Sequence, residues 1–162
     1  MLTQDKLKEI SHYDPETGKF TWLVAVSNRV KVGKTIGSKA LTGYLETQIF
    51  NKRYLLHRLA WLYVYGEMPD EHIDHINGIK DDNRLCNLRE VTRFTNMQNM
   101  REPTKRNKQG LLGVSYDKFR NKFKAQIRIN EKNTYLGRFD TAELAHEAYL
   151  SAKRQHHTTC TI

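Results

Sequence analysis

The 162 residues carry 27 Lys+Arg against 18 Asp+Glu, a net charge of +9, with 38% apolar and 10% aromatic residues. That length holds one ordinary domain or two small ones; no apolar run approaches the ~18–20 residues of a membrane span, and the opening Met1-Leu2-Thr3-Gln4-Asp5-Lys6 lacks the apolar core of a signal peptide. With Cys86 and Cys160 as the only cysteines, neither a disulfide framework nor a four-cysteine zinc ribbon is available, and a soluble protein of intracellular type, located in the cytoplasm, is expected.

Thr3 is placed to cap a short opening helix with Leu7 and Ile10 on one face. Tyr13-Asp14-Pro15-Glu16-Thr17-Gly18 predicts a turn before a strand over 19–23. After glycines at 33, 37 and 43, the stretch 44–50 alternates loosely, and Asn51-Lys52-Arg53 is expected to turn it back as a hairpin into Tyr54-Leu55-Leu56. From His57 to Tyr65 the apolar spacing is helical, with Gly66 as its stop. All of this has the pattern of packing scaffold.

Residues 70–100 differ. They set Asp74, His75, Asn77, Asp81, Asp82, Asn83, Asn87 and Asn96 between short apolar anchors. A strand over 71–75, a loop over 76–87, a second strand over 88–92 and a helix over 93–100 are expected, and a long loop pinned between two strands is usually functional or disordered. Phosphodiester cleavage needs an activated water, charge stabilisation at the phosphate and help for the leaving oxygen. A neutral imidazole suits the base role near physiological pH, and Asp74 and Asn96 offer hard oxygens of the kind Mg²⁺ or Mn²⁺ takes. Because neighbours in a strand point to opposite faces, the strand must end or bulge at His75 for Asp74 and His75 to serve one phosphate. The blander readings are a surface hydrogen bond for Asp74 and His75, caps for Asn87 and Asn96, and a solvated turn for Asp81, Asp82 and Asn83. Asn99 is the rival of Asn96 on its helical face. His57, His72 and Cys86 lack the paired spacing of a zinc site.

Residues 101–111 contain Pro and Gly, four basic groups and little that is apolar, the composition of a linker. Three strands, over 113–117, 122–129 and 133–138, and a helix then follow, with Asp140 and Glu143 in capping-box positions and a narrow stripe of Ala142, Ala145, Ala148, Tyr149 and Ala152. In the middle strand Phe123, Ala125, Ile127 and Ile129 alternate with Lys122, Lys124, Gln126 and Arg128. The first set is expected to cover the helix, leaving a cationic ribbon that Arg120, Asn133 and Tyr135 extend. Residues 1–100 carry 14 Lys+Arg and 12 Asp+Glu, whereas residues 101–162 carry 13 and 6. A basic surface so concentrated favours nucleic acid through counterion release, and a two- or three-stranded ribbon fits the major groove of DNA. His156, His157 and Cys160 fall in a tail expected to be disordered.

Two families resemble these residues. His72-Ile73-Asp74-His75-Ile76-Asn77-Gly78, with Asn87-Leu88-Arg89-Glu90-Val91-Thr92 and Asn96, resembles the HNH nucleases, in particular the homing endonucleases of phages. Gly113-Val114, Lys122 to Ile127, Leu136-Gly137-Arg138-Phe139-Asp140-Thr141-Ala142-Glu143, Ala145 and Tyr149 resemble the AP2 DNA-binding domain. The first resemblance implies a ββα-metal module in which His75 is the general base, Asp74 and Asn96 hold a divalent metal, Mg²⁺ or Mn²⁺, and Asn87 tethers the loop and orients His75. Asn96 stands where many of that family have His. The second implies DNA binding but not the recognition sequence of the plant domains, since Ser115 and Tyr116 stand where those domains have base-reading arginines.

The fold expected is α+β: a ββα-metal module with its N-terminal β-rich scaffold over 1–100, a basic linker over 101–111, an AP2-like sheet packed on one helix over 112–157 and a tail over 158–162. The function expected is metal-dependent cleavage of double-stranded DNA by a homing endonuclease, as a monomer, without a membrane or a small-molecule cofactor, in the cytoplasm of a bacterial host if phage-encoded. Lys105, Arg106, Lys108, Arg120, Lys122, Lys124, Gln126, Arg128 and Tyr135 are the expected DNA contacts. The rivals are a DNA-binding regulator that keeps the scaffold without activity, and an RNA-binding protein.

Overall fold

Thr3 opens the chain's first helix by accepting a hydrogen bond from Lys6 N at 3.3 Å, and α1 (Gln4–Ile10) turns Leu7 and Ile10 into the core. In this computed structural model, which describes residues 2–28, 30–104 and 106–157, β1 (Ser11–Asp14) and β2 (Lys19–Trp22) then form an antiparallel hairpin. The Asp14 carboxylate shapes its turn by accepting from Glu16 N at 2.9 Å and Thr17 Oγ1 at 2.7 Å. β3 (Thr35–Ile36) adds to that sheet. β4 (Ser38–Lys39), β5 (Leu45–Ile49) and β6 (Lys52–Leu55) form a second one. The turn between the last two is Phe50-Asn51 rather than Asn51–Arg53: both residues are left-handed, at φ 48° and 63°, the two-residue geometry that matches the twist of the flanking strands. α2 (Leu56–Tyr65) ends where Gly66 takes φ 90°.

β7 (His72–His75) pairs antiparallel with β8 (Leu88–Val91). Ile73 and Leu88 tie this hairpin into a core built on Leu7, Ile10, Tyr13, Phe20, Ile36, Leu56, Leu59 and Leu62. The β1–β2 turn supports the loop after β7 directly, because a Cβ on Gly18 would fall 2.5 Å from the backbone of Asn83 and Arg84.

The chain divides into two compact units, Met1–Arg93 and Phe94–Ile162. α3 (Arg93–Gln98) starts at that division. In the second unit β9 (Val114–Asp117), β10 (Lys122–Ile129) and β11 (Lys132–Phe139) form an antiparallel sheet with β10 in the centre. Val114 and Ala125 pack with Ala145 of α4 (Ala142–His156), flanked by Leu111, Phe123, Leu136, Phe139, Ala142 and Ala148. Ala145 of α4 is fully buried against this sheet, and the Tyr149 ring occupies the space where a Cβ on Gly113 would stand.

Two local expectations in this unit are corrected. The helix cap is Thr141, the residue just before α4, whose hydroxyl accepts from Leu144 N at 3.3 Å, and the Asp140 carboxylate pairs with Lys122 on β10. His156 and His157 are ordered: His156 closes α4, and His157 is 5% exposed with Nε2 3.0 Å from the Arg128 carbonyl. Lys105 and the expected tail, residues 158–162 with Cys160, lie outside the described residues. The whole is a mixed α+β architecture of small antiparallel sheets.

Candidate functional site

In the first unit the polar constellation gathers around the end of β7. The strand stops at His75, whose carbonyl accepts from Gly78 N at 2.8 Å as the chain turns away. Ile73, Asp74 and His75 are all buried, at 6%, 9% and 6% exposure, so this end of the strand is covered on both faces while its ladder with β8 stays in register through His75. Asp74 pairs across the ladder with Arg89, whose Nη2 and Nε donate to its Oδ2 at 2.8 and 3.0 Å.

Nε2 of His75 lies 3.1 Å from Oδ1 of Asn83. With the Asn83 amide in this orientation, which leaves its Nδ2 buried without a hydrogen-bond partner, the oxygen accepts from Nε2–H and the lone pair is on Nδ1. Burial lowers the His75 pKa; the Asn83 hydrogen bond and the charges of Asp74, Asp82 and Asp81 oppose that shift. Burial thus favours the neutral ring, the form with a lone pair that can accept a proton. His57, from the first turn of α2, meets the His75 ring edge-on at 5.1 Å between centroids, and Tyr44 stands 5.1 Å from His57 and 5.7 Å from His75. His57 is 5% exposed with its Nδ1 unpartnered, and burial, then the neighbouring His75 and Arg58 charges, take its pKa down to about 3.

Asn87 closes the loop over 76–87. Its Oδ1 accepts from Asn77 N at 2.9 Å, its Nδ2 donates to the Asp82 carbonyl at 2.8 Å, and its own carbonyl accepts from Ile76 N at 2.9 Å. Asp82 is clamped by Arg84 Nε and Nη2 at 2.8 and 2.6 Å and by Asn77 Nδ2 at 2.6 Å. These bonds, Arg84's first, lower the Asp82 pKa to about 2.

The contact to the imidazole comes from Asn83, not from Asn87, which acts on the loop backbone. Asn83 is 1% exposed, which overturns the solvated turn expected there, and its carbonyl accepts from Tyr13 Oη at 2.7 Å. Sequence reasoning missed Asn83 because the groups that bury it come from His75 and from Tyr13, seventy residues away. His57 had a visible signal: a lone imidazole on the apolar face of a helix.

Asn96 stands on α3, which ends at Gln98, and Asn99 N donates to the Asn96 carbonyl at 3.2 Å. Among the described residues no three His, Cys, Asp or Glu side chains gather as a metal-binding group. His57, His72 and Cys86 are accordingly not brought together. Asp74 offers a carboxylate and Asn96 an amide oxygen, both hard donors, and hard divalent ions of the Mg²⁺ type bind through one or two carboxylates with water and substrate phosphate completing the shell. That donor chemistry fits such an ion and not zinc.

The second unit carries the basic face. Register places Ser115 and Arg138 opposite Lys124, Tyr135 opposite Gln126, and Asn133 opposite Arg128. Tyr135 and Arg138 are three residues apart and would face opposite ways in a regular strand. The register slips between Ala125 and Gln126, leaving Leu136 as the extra residue, with Gly137 at φ 138°. This bulge turns both side chains to one face, where Arg138 Nη1 donates to Tyr135 Oη at 3.1 Å and its guanidinium lies 5.3 Å from the ring centre. Lys124 Nζ is 5.9 Å from the same ring.

Acids offset part of this charge. Asp117 takes Arg138 at 3.0 Å and Arg120 at 3.6 Å, and Asp140 takes Lys122. Lys124 and the exposed Arg128 have no carboxylate partner among the described residues. Arg106 and Lys108 are exposed beside a turn in which Asn107 Nδ2 donates to the Leu111 carbonyl at 2.6 Å.

The family model for HNH endonuclease matches residues 54–98. That span begins on β6, takes in α2 with His57 and the whole β7–loop–β8 hairpin, and reaches the end of α3; it supports an HNH nuclease. No curated protein and no solved structure matches the chain. Among the described residues no helix is long and apolar enough to cross a membrane.

Proposed function

We propose that this protein is a metal-dependent endonuclease that hydrolyses phosphodiester bonds of double-stranded DNA at a recognised site, in the manner of a homing endonuclease. The observation that carries the reading is the His75 imidazole, whose neutral form burial favours and whose Nε2 is bound to Asn83, beside the Asp74 carboxylate within the stretch matched to the HNH endonuclease model. Nδ1 of His75 takes a proton from the attacking water. The Asn83 amide oxygen keeps the ring in the tautomer that can do so, and the Nε2–H···O bond strengthens as the ring becomes cationic. Asn87 fixes the loop that carries Asn83.

We assign Asp74 and Asn96 to a divalent ion, Mg²⁺ or Mn²⁺, by their oxygen chemistry and by the resemblance of the segments that carry them to the HNH nucleases. Such an ion, when bound, neutralises charge at the phosphate and eases departure of the leaving oxygen. The module over 1–100 supplies the chemistry. The AP2-like sheet over 112–157 and the basic stretch 101–111 supply duplex binding, with Lys105, Arg106 and Lys108 along the backbone and Arg120, Lys122, Lys124, Gln126, Arg128 and Tyr135 on the ribbon. The test is nicking of supercoiled plasmid with Mg²⁺, Mn²⁺ or EDTA. Cleavage that needs the ion supports the reading; tight DNA binding without cleavage under either ion contradicts it.

A further inference from the structure

The β9–β10 turn presents an aromatic ring that the fold does not use. Phe119 is 99% exposed, whereas Tyr116, Tyr135 and Leu144 of the same unit are 39%, 49% and 48% exposed. The turn does not depend on that side chain. Asp117 Oδ1 accepts from Phe119 N at 3.1 Å and Arg120 N at 3.4 Å, and Asn121 takes the left-handed φ of 50° while its side chain accepts from Tyr116 Oη. The apex is thus braced from both strands, and the ring sits on it between Lys118 and Arg120.

An isolated exposed apolar residue is ordinary. A fully exposed Phe on a braced turn, flanked by Lys118 and by an Arg120 that shares Asp117 with Arg138, at the end of a sheet whose polar face carries Lys124 and Arg128 without carboxylate partners among the described residues, has a narrower set of partners: a polyanion with flat apolar faces inside it. Stacked base pairs between phosphate strands are such a partner, and apolar wedges that part a base step and kink the duplex are a known mode of contact. We propose that Phe119 inserts between adjacent base pairs of the bound duplex, with Lys118 and Arg120 on the flanking phosphates. The inference rests on the duplex-binding reading of this face.

The test uses the full chain and duplexes selected for binding from a random library, carrying 2-aminopurine at successive positions. Insertion predicts a fluorescence rise at one step, abolished in Phe119→Ala and retained in Phe119→Trp. Since the ring packs on nothing, Phe119→Ala should melt like the parent, and its affinity should fall about tenfold or more while its salt dependence stays unchanged. Parent protein that binds without any rise overturns the wedge and leaves the duplex-binding reading standing. Failure to bind any duplex ends both. A Phe119→Ala variant that loses only sedimentation with phosphatidylglycerol vesicles overturns the wedge in favour of a lipid surface.

Discussion

Arg89 faces Asp74 across the β7–β8 ladder and gives two hydrogen bonds to a single carboxylate oxygen, at 2.8 and 3.0 Å. The pair is mostly buried, with side-chain exposures of 25% and 11%. Removing one partner of such a pair leaves a charge in a poorly solvated place. Arg89→Ala should lower stability by about 1–3 kcal/mol in urea titrations, and the double variant with Asp74→Asn should lose less than the sum of the two single losses. The guanidinium also repels a cation at Asp74. Arg89→Ala should therefore bind Mn²⁺ more tightly in calorimetry; weaker binding would show that Arg89 shapes the carboxylate more than it opposes the ion.

Asn83 gives a prediction of opposite kind for two substitutions. Asn83→Ala removes the acceptor for His75 Nε2–H and should cut the cleavage rate tenfold or more with DNA affinity unchanged. Asn83→Asp keeps an acceptor and adds negative charge beside the imidazole, which favours its protonated form. Its pH–rate profile should rise at higher pH than that of the parent. An unmoved profile would mean that the base does not lie against Asn83.

His57 sets an acid limit on stability. Its pKa falls from 6.5 to about 3 on folding, so the unfolded chain binds the proton more readily than the folded one. The stability this imidazole contributes is complete above pH 6.5 and is lost as pH falls from there toward 3, at up to about 1.4 kcal/mol per pH unit for one proton. His57→Phe should flatten urea midpoints over that range. Midpoints as steep in the variant as in the parent would place the acid sensitivity elsewhere.

On the sheet, charge pairing separates residues that look alike in sequence. Arg120, Arg138 and Lys122 face Asp117 or Asp140, whereas Lys124 and Arg128 do not. Lys124→Ala and Arg128→Ala should each reduce the slope of log affinity against log salt by about 0.9 for every phosphate that the side chain neutralises, and Lys122→Ala by less. Fluorescence anisotropy across a salt series measures this; equal slopes for all three would remove the distinction.

How far the fold was legible follows from how local each cause is. The alternation over 122–129 is written in consecutive residues, and so is the stop of α2 at Gly66. Asp74 and His75 are neighbours, and the requirement that the strand end there comes from the period of a β-strand alone. What was not legible depends on distant partners. The helix starts one residue later than expected, so Thr141 caps it while Asp140 meets Lys122 of a strand eighteen residues back. Asn83 is buried by Tyr13 and His75 rather than solvated among its charged neighbours. The bulge at Leu136 left only Gly137 as a trace, yet it decides that Tyr135 and Arg138 share a face.

The most direct test measures cleavage and DNA affinity together in His75→Ala and Asp74→Ala, with Mg²⁺ and with EDTA. A base at His75 and an ion ligand at Asp74 predict that both variants bind duplex DNA within about threefold of the parent, a change under about 1 kcal/mol, and that neither cuts. Cleavage at the parental rate by either variant under Mg²⁺ would contradict the site.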